Sequence, residues 1–383
     1  MKKTLLIAAL SMMAAPAMAS KARLTSLSSA AHLSDIQDVF TNASKLTASG
    51  DWATFETGST PAANKTASGT SPQAEGGFAR SMGDAKYGFY LGHSSQFVTG
   101  TRLPNTHENA TNTPLVTQTH LIDENPLNLF YASKMGDMAW GIGMNYSNSN
   151  KKTVSKKQSA MGINGGITMG NLDVGLDLGL SNSYKDDTAG SLVDFKGKTS
   201  YQIAGTYVMN DLTIAYGLGA SGGKEDFVTT TTTTTYDITT SNYNLGVVKD
   251  HKADGVDFFY GASYAVETYK DDGNNASATA LKSKYEQTTM PVIVGIEADA
   301  ASWLVLRASV KQNVLLGSSK DSFNAAAADD ADSIANNTTV SAGAGLKFGK
   351  IAVDGTLQAT AAATAGQVNG SSLLANASMT YMF

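Results

Sequence analysis

The stretch "NLDVGLDLGLS", residues 171–181, decides the fold. Leu172, Val174, Leu176, Leu178 and Leu180 fall on one parity, and Asp173, Gly175, Asp177, Gly179 and Ser181 on the other. Successive side chains of a β-strand point to opposite faces, so this segment is a strand with one apolar and one small or acidic face. Wound as a helix, the same residues would scatter around the cylinder and leave the two aspartates without a coherent polar side.

The pattern repeats along the chain. Met138, Trp140, Ile142, Met144 and Tyr146 alternate with Ala139, Gly141, Gly143, Asn145 and Ser147. Leu212, Ile214, Tyr216 and Leu218 alternate with Thr213, Ala215, Gly217 and Gly219. Further strands are read around 256–266, 290–296, 304–311, 340–348, 351–358 and 373–383, and earlier at 51–58, 76–82, 86–93 and 125–135. With the strands that the long intervening stretches must also supply, the expected wall has 16 strands, or 14 if 51–58 and 76–82 belong to a luminal plug. Connections alternate in length. Tight turns at Gly136-Asp137, Gly170-Asn171, Asn210-Asp211 and Gly349-Lys350 are separated by long polar stretches at 147–158, 181–194, 270–283 and 317–337. An antiparallel meander across a bilayer has this asymmetry, with short periplasmic turns and long extracellular loops.

The first residues bear on the compartment. "MKK" is basic, "TLLIAALSMMAAP" is apolar, and Ala17-Met18-Ala19 before Ser20 has the small-x-small form of a signal cleavage site. The expected organisation is a signal peptide at 1–19, a segment at 20–50 containing a short periplasmic or luminal helix, and a barrel over 51–383. In that helix Leu33, Ile36, Val39 and Phe40 would share a face. The 383-residue chain has no cysteine and a formal charge of −5, which becomes more acidic once Lys2 and Lys3 leave with the signal. Disulfides and thiolate metal sites are excluded, and a nucleic-acid partner is disfavoured. Charged residues make up 16%, below the ~25% usual for globular domains. No stretch after the signal is long and apolar enough for a membrane helix.

A soluble sandwich would fill its second face with bulk. Here that parity carries Gly141, Gly143, Gly217, Gly343 and Gly345, which suits a luminal wall. Aromatics gather near the short turns, and Trp140, Trp303, Phe348 and Tyr381 are the expected interfacial girdle. In hydrocarbon every backbone amide must be paired, so the last strand closes on the first.

With the final "MTYMF", these features resemble the Gram-negative outer-membrane β-barrels. The resemblance implies an outer-membrane location and an assembly signal at Met379, Tyr381 and Phe383, read by the barrel-assembly machinery. It also implies lipid and lipopolysaccharide as surroundings. Size and loop pattern resemble the general porins, which implies a trimeric, water-filled channel for passive diffusion of small hydrophilic solutes and ions. Residues 35–58 are loosely similar to the start of the long-chain fatty-acid transporters, although Asn42-Ala43-Ser44 lacks that family's proline. That similarity supplies an alternative, a substrate-specific uptake channel for hydrophobic compounds with an N-terminal plug. A structural or adhesive surface barrel is the third reading.

Catalytic chemistry finds no support in the pattern. The five histidines, His32, His93, His107, His120 and His251, form no nucleophile–base or metal-ligand spacing, so neither an enzyme nor a cofactor is expected. The inward-parity charges Asp173, Asp177, Asp257, Glu267, Glu297, Arg307, Lys311, Lys347 and Asp354 are the lumen-lining candidates, able to set ion preference at a constriction. The constricting loop is sought at 98–124, with Arg102 and Glu108. The threonine run at 229–235 is read as an extracellular loop or strand tip.

Overall fold

A computed structural model describes residues 20–57, 74–93, 125–187, 191–229, 232–274, 280–323, 330–333, 338–361 and 376–383. Residues 1–19, expected to be a signal peptide, and residues 98–124, expected to be the constricting loop, lie outside the described residues.

The chain forms a closed antiparallel barrel of 16 strands. The first seven are β1 (Trp52–Thr57), β2 (Glu75–Met82), β3 (Ala85–Leu91), β4 (Leu127–Met135), β5 (Met138–Lys151), β6 (Lys156–Met169) and β7 (Leu172–Asp186). Strand β8 is interrupted, running Ser191–Gly197 and Ser200–Met209, both pieces pairing with the same neighbours. Then come β9 (Leu212–Thr229), β10 (Thr233–Ala253), β11 (Val256–Asn274), β12 (Ala280–Ala301) and β13 (Leu304–Phe323). Strand β14 is also in two pieces, Asp330–Ser333 and Thr338–Phe348, and β15 (Ile351–Ala361) and β16 (Asn376–Met382) complete the wall. Thr54 of β1 lies opposite Gly77 of β2 on one side and Thr380 of β16 on the other, which closes the ring. Segments 51–58 and 76–82 are therefore wall strands, and the count is 16 rather than 14.

The alternation sorts as the sequence predicts. Phe55, Ile142, Leu176, Leu218, Leu245, Phe258, Val294, Leu306, Val353 and Met379 are exposed on the outside. Thr54, Ser147, Asn164, Asp177, Thr213, Ser309, Ser341, Asp354, Ser378 and Thr380 are buried on the inside. An exposed apolar band around a polar interior is the inverse of a soluble protein and fits only a bilayer. Trp303, Phe348 and Tyr381 are exposed beside the short turns, and Trp140 packs near Tyr131 at the same end. Gly136, Gly170, Asn210 and Gly349 hold φ of 61°, 56°, 57° and 60°, the left-handed geometry of tight hairpins.

One expectation is corrected. The described residues of the polar stretches 147–158, 181–194, 270–283 and 317–337 are largely strand, not loop. Strands β9 to β13 run 18, 21, 19, 22 and 20 residues, where roughly 9–11 suffice to span a bilayer. Above the apolar band both faces meet water, so the ladder continues without any apolar alternation to mark it. The threonine run sits at a hairpin tip, with Val228 opposite Thr233 and Asp226 opposite Thr235.

The N-terminal segment is built differently from the single helix expected over 27–46. It has a short helix, α1 (Lys21–Ser26), followed by two 3-10 turns at Ile36–Phe40 and Ala43–Thr47. Side chains of Ser20, Asp35 and Asn42 each accept an amide at an N-terminus. Three caps within so few residues restart the chain repeatedly and prevent one continuous helix. The apolar residues also part company: Ile36, Val39 and Phe40 join one cluster, while Leu33 packs in another.

Leu218 lies outward, seven residues along β9. Leu218→Arg is expected to lower barrel stability by about 2–4 kcal/mol at midplane depth. The reading is urea unfolding in lipid vesicles, and unchanged folding would reverse the assigned faces.

Candidate functional site

The lumen is where inward-facing groups converge, and residues 20–50 occupy it. They touch β1 to β7 through Glu56, Glu75, Tyr90, Phe130, Gly141, Asn164 and Asp173. They touch β10 to β16 through Val248, Phe259, Glu297, Ser309, Gly343, Asp354 and Asn376. A segment fastened to walls on opposite sides of the barrel lies across its bore.

The first fastening is ionic. Arg23 grips Glu297 with two nitrogens, Nε to Oε2 at 2.9 Å and Nη2 to Oε1 at 3.1 Å. Arg307 donates from Nε to the same Oε2 at 2.6 Å and from Nη1 to Asp354 Oδ1 at 2.5 Å. Ser20 Oγ donates to Asp354 Oδ2 at 3.1 Å and accepts the Arg23 amide at 3.1 Å, which closes the circuit on α1. Two guanidiniums and two carboxylates alternate, so the buried network is neutral. Breaking one partner of such a buried pair costs about 3–5 kcal/mol, because a bare charge is left behind.

Two further fastenings act on the rest of the segment. Lys21 pairs with Glu75, its amide donates to Glu56 at 3.0 Å, and Gln37 Nε2 donates to Glu56 at 2.7 Å. Lys45 reaches Asp173 at 2.7 Å, Ser44 and Thr168 share a hydrogen bond at 2.8 Å, and Asn164 Nδ2 donates to the Val39 carbonyl at 2.8 Å. Apolar packing adds to these. Leu46, Val39 and Ala43 are buried against Trp52, Tyr90 and Phe130, and Leu27 and Ala30 against Val248, Phe259 and Ile293. Each fully buried aliphatic side chain contributes about 1.5–3 kcal/mol.

Close approach explains two glycines. A Cβ at Gly141 would stand 2.5 Å from the Ala43 carbonyl carbon, and one at Gly343 would stand 2.6 Å from Ser26 Cβ. Any side chain there would push the segment off its wall.

The nine lumen-lining candidates divide. Asp173, Glu297, Arg307 and Asp354 hold the segment. Asp257 stands 4.0 Å from His32 of the segment. Asp177 is buried on the same wall, Lys347 pairs with Asp299 near the short turns, and Glu267 and Lys311 are exposed. Four of the nine charges expected to set up a transverse field across open water are thus taken up in binding the segment. Glu56, Glu75, Tyr90, Trp52, Phe259 and Asn164 also line the site and were not foreseen. The available signal was aromatic bulk: Trp52, Tyr90 and Phe259 sit on an inward parity that is otherwise small or polar, which signals something solid to pack against.

No family model matches the chain, and no curated protein matches its sequence. Solved structures resemble it in architecture. The alcaligin outer-membrane receptor FauA of Bordetella pertussis aligns at 10% identity and TM-score 0.43 over 83% of this chain. The chain spans 63% of that receptor's length. The CymD monoaromatic hydrocarbon channel aligns at 11% identity and TM-score 0.39, covering 94% of this chain and 96% of its own. A loop-deleted OmpT of Vibrio cholerae aligns at 12% identity and TM-score 0.33, covering 86% and 97%. By name these are an outer-membrane receptor, a hydrocarbon channel and an outer-membrane protein; the exposed apolar band with a polar lumen defines this chain as a membrane-spanning β-barrel in its own right.

The segment carries its own titratable groups. Burial pushes the Asp35 carboxyl up to about 8, with nearby Asp38 and Glu56 adding to the rise and Arg23 opposing it. Burial likewise lifts Asp38 to about 6 and pushes His32 down to about 4. A carboxyl that holds its proton more tightly docked than free supports docking fully below its free value near 4 and loses that support as pH rises through its docked value. His32 works the other way, supporting docking above its free value near 6.5 and losing that support as pH falls toward 4. Above about pH 6.5 the histidine contribution has levelled off, Asp38 is completing its change, and of these three groups Asp35 carries most of what remains. Trypsin cleavage at Lys45 in the folded protein is therefore expected to rise between about pH 6.5 and 8, and Asp35→Asn to flatten that rise. A wild-type rate independent of pH across this window would contradict the assignment.

Proposed function

We propose that this barrel is a plug-gated outer-membrane channel for small hydrophilic solutes, moving them down their gradient when residues 20–50 shift from the wall. The observation that carries the reading is the combination of a bore crossed by a fastened segment and a luminal face made of Ser, Thr, Asn and Asp. The polar wall supports the porin-like half of the expectation, and the segment supports gating. An uptake route for hydrophobic compounds would call for an apolar path, and the buried apolar clusters are instead occupied by the segment's own Leu27, Val39 and Leu46. The trimeric state and ion selectivity expected of general porins remain part of the proposal.

The test uses the absence of native cysteine. Ser28 Oγ and Ser309 Oγ are 2.8 Å apart, so Ser28→Cys with Ser309→Cys places two thiols within bonding reach. In planar bilayers the oxidised double variant is expected to lose stepwise conductance, and a reductant to restore it. Equal conductance in both redox states, or none in either, would overturn gated passage.

A further inference from the structure

Between the two halves of the luminal segment lies a cavity of about 340 Å³. Arg23, His32 and Asp35 border it from one half, Lys45 from the other, and Lys252 and Asp257 from the wall. Its polar groups are not all used by the protein. The His32 side chain is 3% exposed and leans on Phe259 with ring centroids 4.5 Å apart, yet neither ring nitrogen has a hydrogen-bond partner in the protein. Asp257 Oδ2 is too distant at 4.0 Å. Asp35 Oδ2 and Asp257 Oδ1 are likewise buried without a partner.

Buried polar groups are almost always hydrogen-bonded, and each one left unmade costs about 1–3 kcal/mol. Four such atoms around one cavity therefore point to something that enters it. The charges narrow its chemistry. Arg23, Lys45 and Lys252 would repel a cation, and Asp257 and Glu297 would repel an anion. The orphans include an Asp257 oxygen that accepts, and an Asp35 carboxyl and an imidazole that can each donate or accept. A hydroxyl satisfies either kind. The volume sits at the small end of the ~300–1,000 Å³ of ligand pockets, so the occupant is smaller than a drug-sized molecule.

We infer that this cavity binds a small neutral polyhydroxylated solute, of pentose or hexose size, between the halves of the segment, with His32, Asp35 and Asp257 as its recognition groups. The site deepens the channel reading and rests on it, since a solute lodged between the halves is placed to shift the segment from the wall.

Purified full-length protein titrated calorimetrically with glucose, xylitol, glucosamine and gluconate tests this. Saturable binding of glucose or xylitol is expected, with the amine and the acid much weaker. His32→Phe preserves the stack on Phe259 while removing both nitrogens, and should weaken binding roughly tenfold, about 1.4 kcal/mol. Asp257→Leu is a second variant with the same expected direction should the first fail to fold. No saturable binding of either neutral compound, equal binding of the charged ones, or undiminished binding in a folded variant would each overturn the site. Bilayer conductance on the same preparations separates the two claims: binding without conductance sinks the channel and keeps the site, and conductance without binding does the reverse.

Discussion

The rest of the molecule's behaviour depends on one buried circuit, in which Arg23, Glu297, Arg307 and Asp354 alternate in charge and Ser20 joins the ends. Arg307 and its two carboxylate partners come from adjacent or nearly adjacent wall strands, and their charges do not balance until Arg23 arrives. Without the segment, Glu297 and Asp354 face a single guanidinium. Docking thus completes an electrostatic set that the wall leaves with an excess of acid, and the same holds for Glu75 with Lys21 and Asp173 with Lys45. The segment brings bases to three acidic positions, and its apolar side chains fill what the aromatics Trp52, Tyr90 and Phe259 leave open.

On the proposed reading, the circuit also lets a stable barrel be gated. The wall is held by its ladders and by the bilayer, so it does not need the segment to remain closed as a ring. The segment is held by side chains alone, in fastenings that can open one at a time. Its short helix and two 3-10 turns carry only local hydrogen bonds of their own, so the segment can part from the wall without breaking a ladder. The cavity between its halves is where the proposed solute would act.

Much of this was legible in the sequence, and the division is physical. Leu172 to Leu180 or Met138 to Tyr146 announce an outer face because lipid demands apolar residues at every second position. Gly136, Gly170 and Asn210 announce turns because few other residues adopt their backbone geometry. The wet extensions of β9 to β13 were invisible, since water on both faces imposes no period. The inward charges at 173, 297, 307 and 354 were found by parity, but their partners Arg23 and Lys45 lie over a hundred residues away in sequence, and no local pattern links them. Polar caps at Ser20, Asp35 and Asn42 were the residues that broke the expected helix into pieces.

Hydrogen–deuterium exchange of the full-length protein in lipid nanodiscs tests the central claim most directly. The account predicts that amides of the 20–50 segment exchange slowly in the wild type, and that Glu297→Gln, which leaves two guanidiniums facing one carboxylate, accelerates them while β5 to β7 stay protected. Rapid exchange across 20–50 in the wild type would contradict it, because a segment that is not fastened in the lumen can neither close the bore nor gate it.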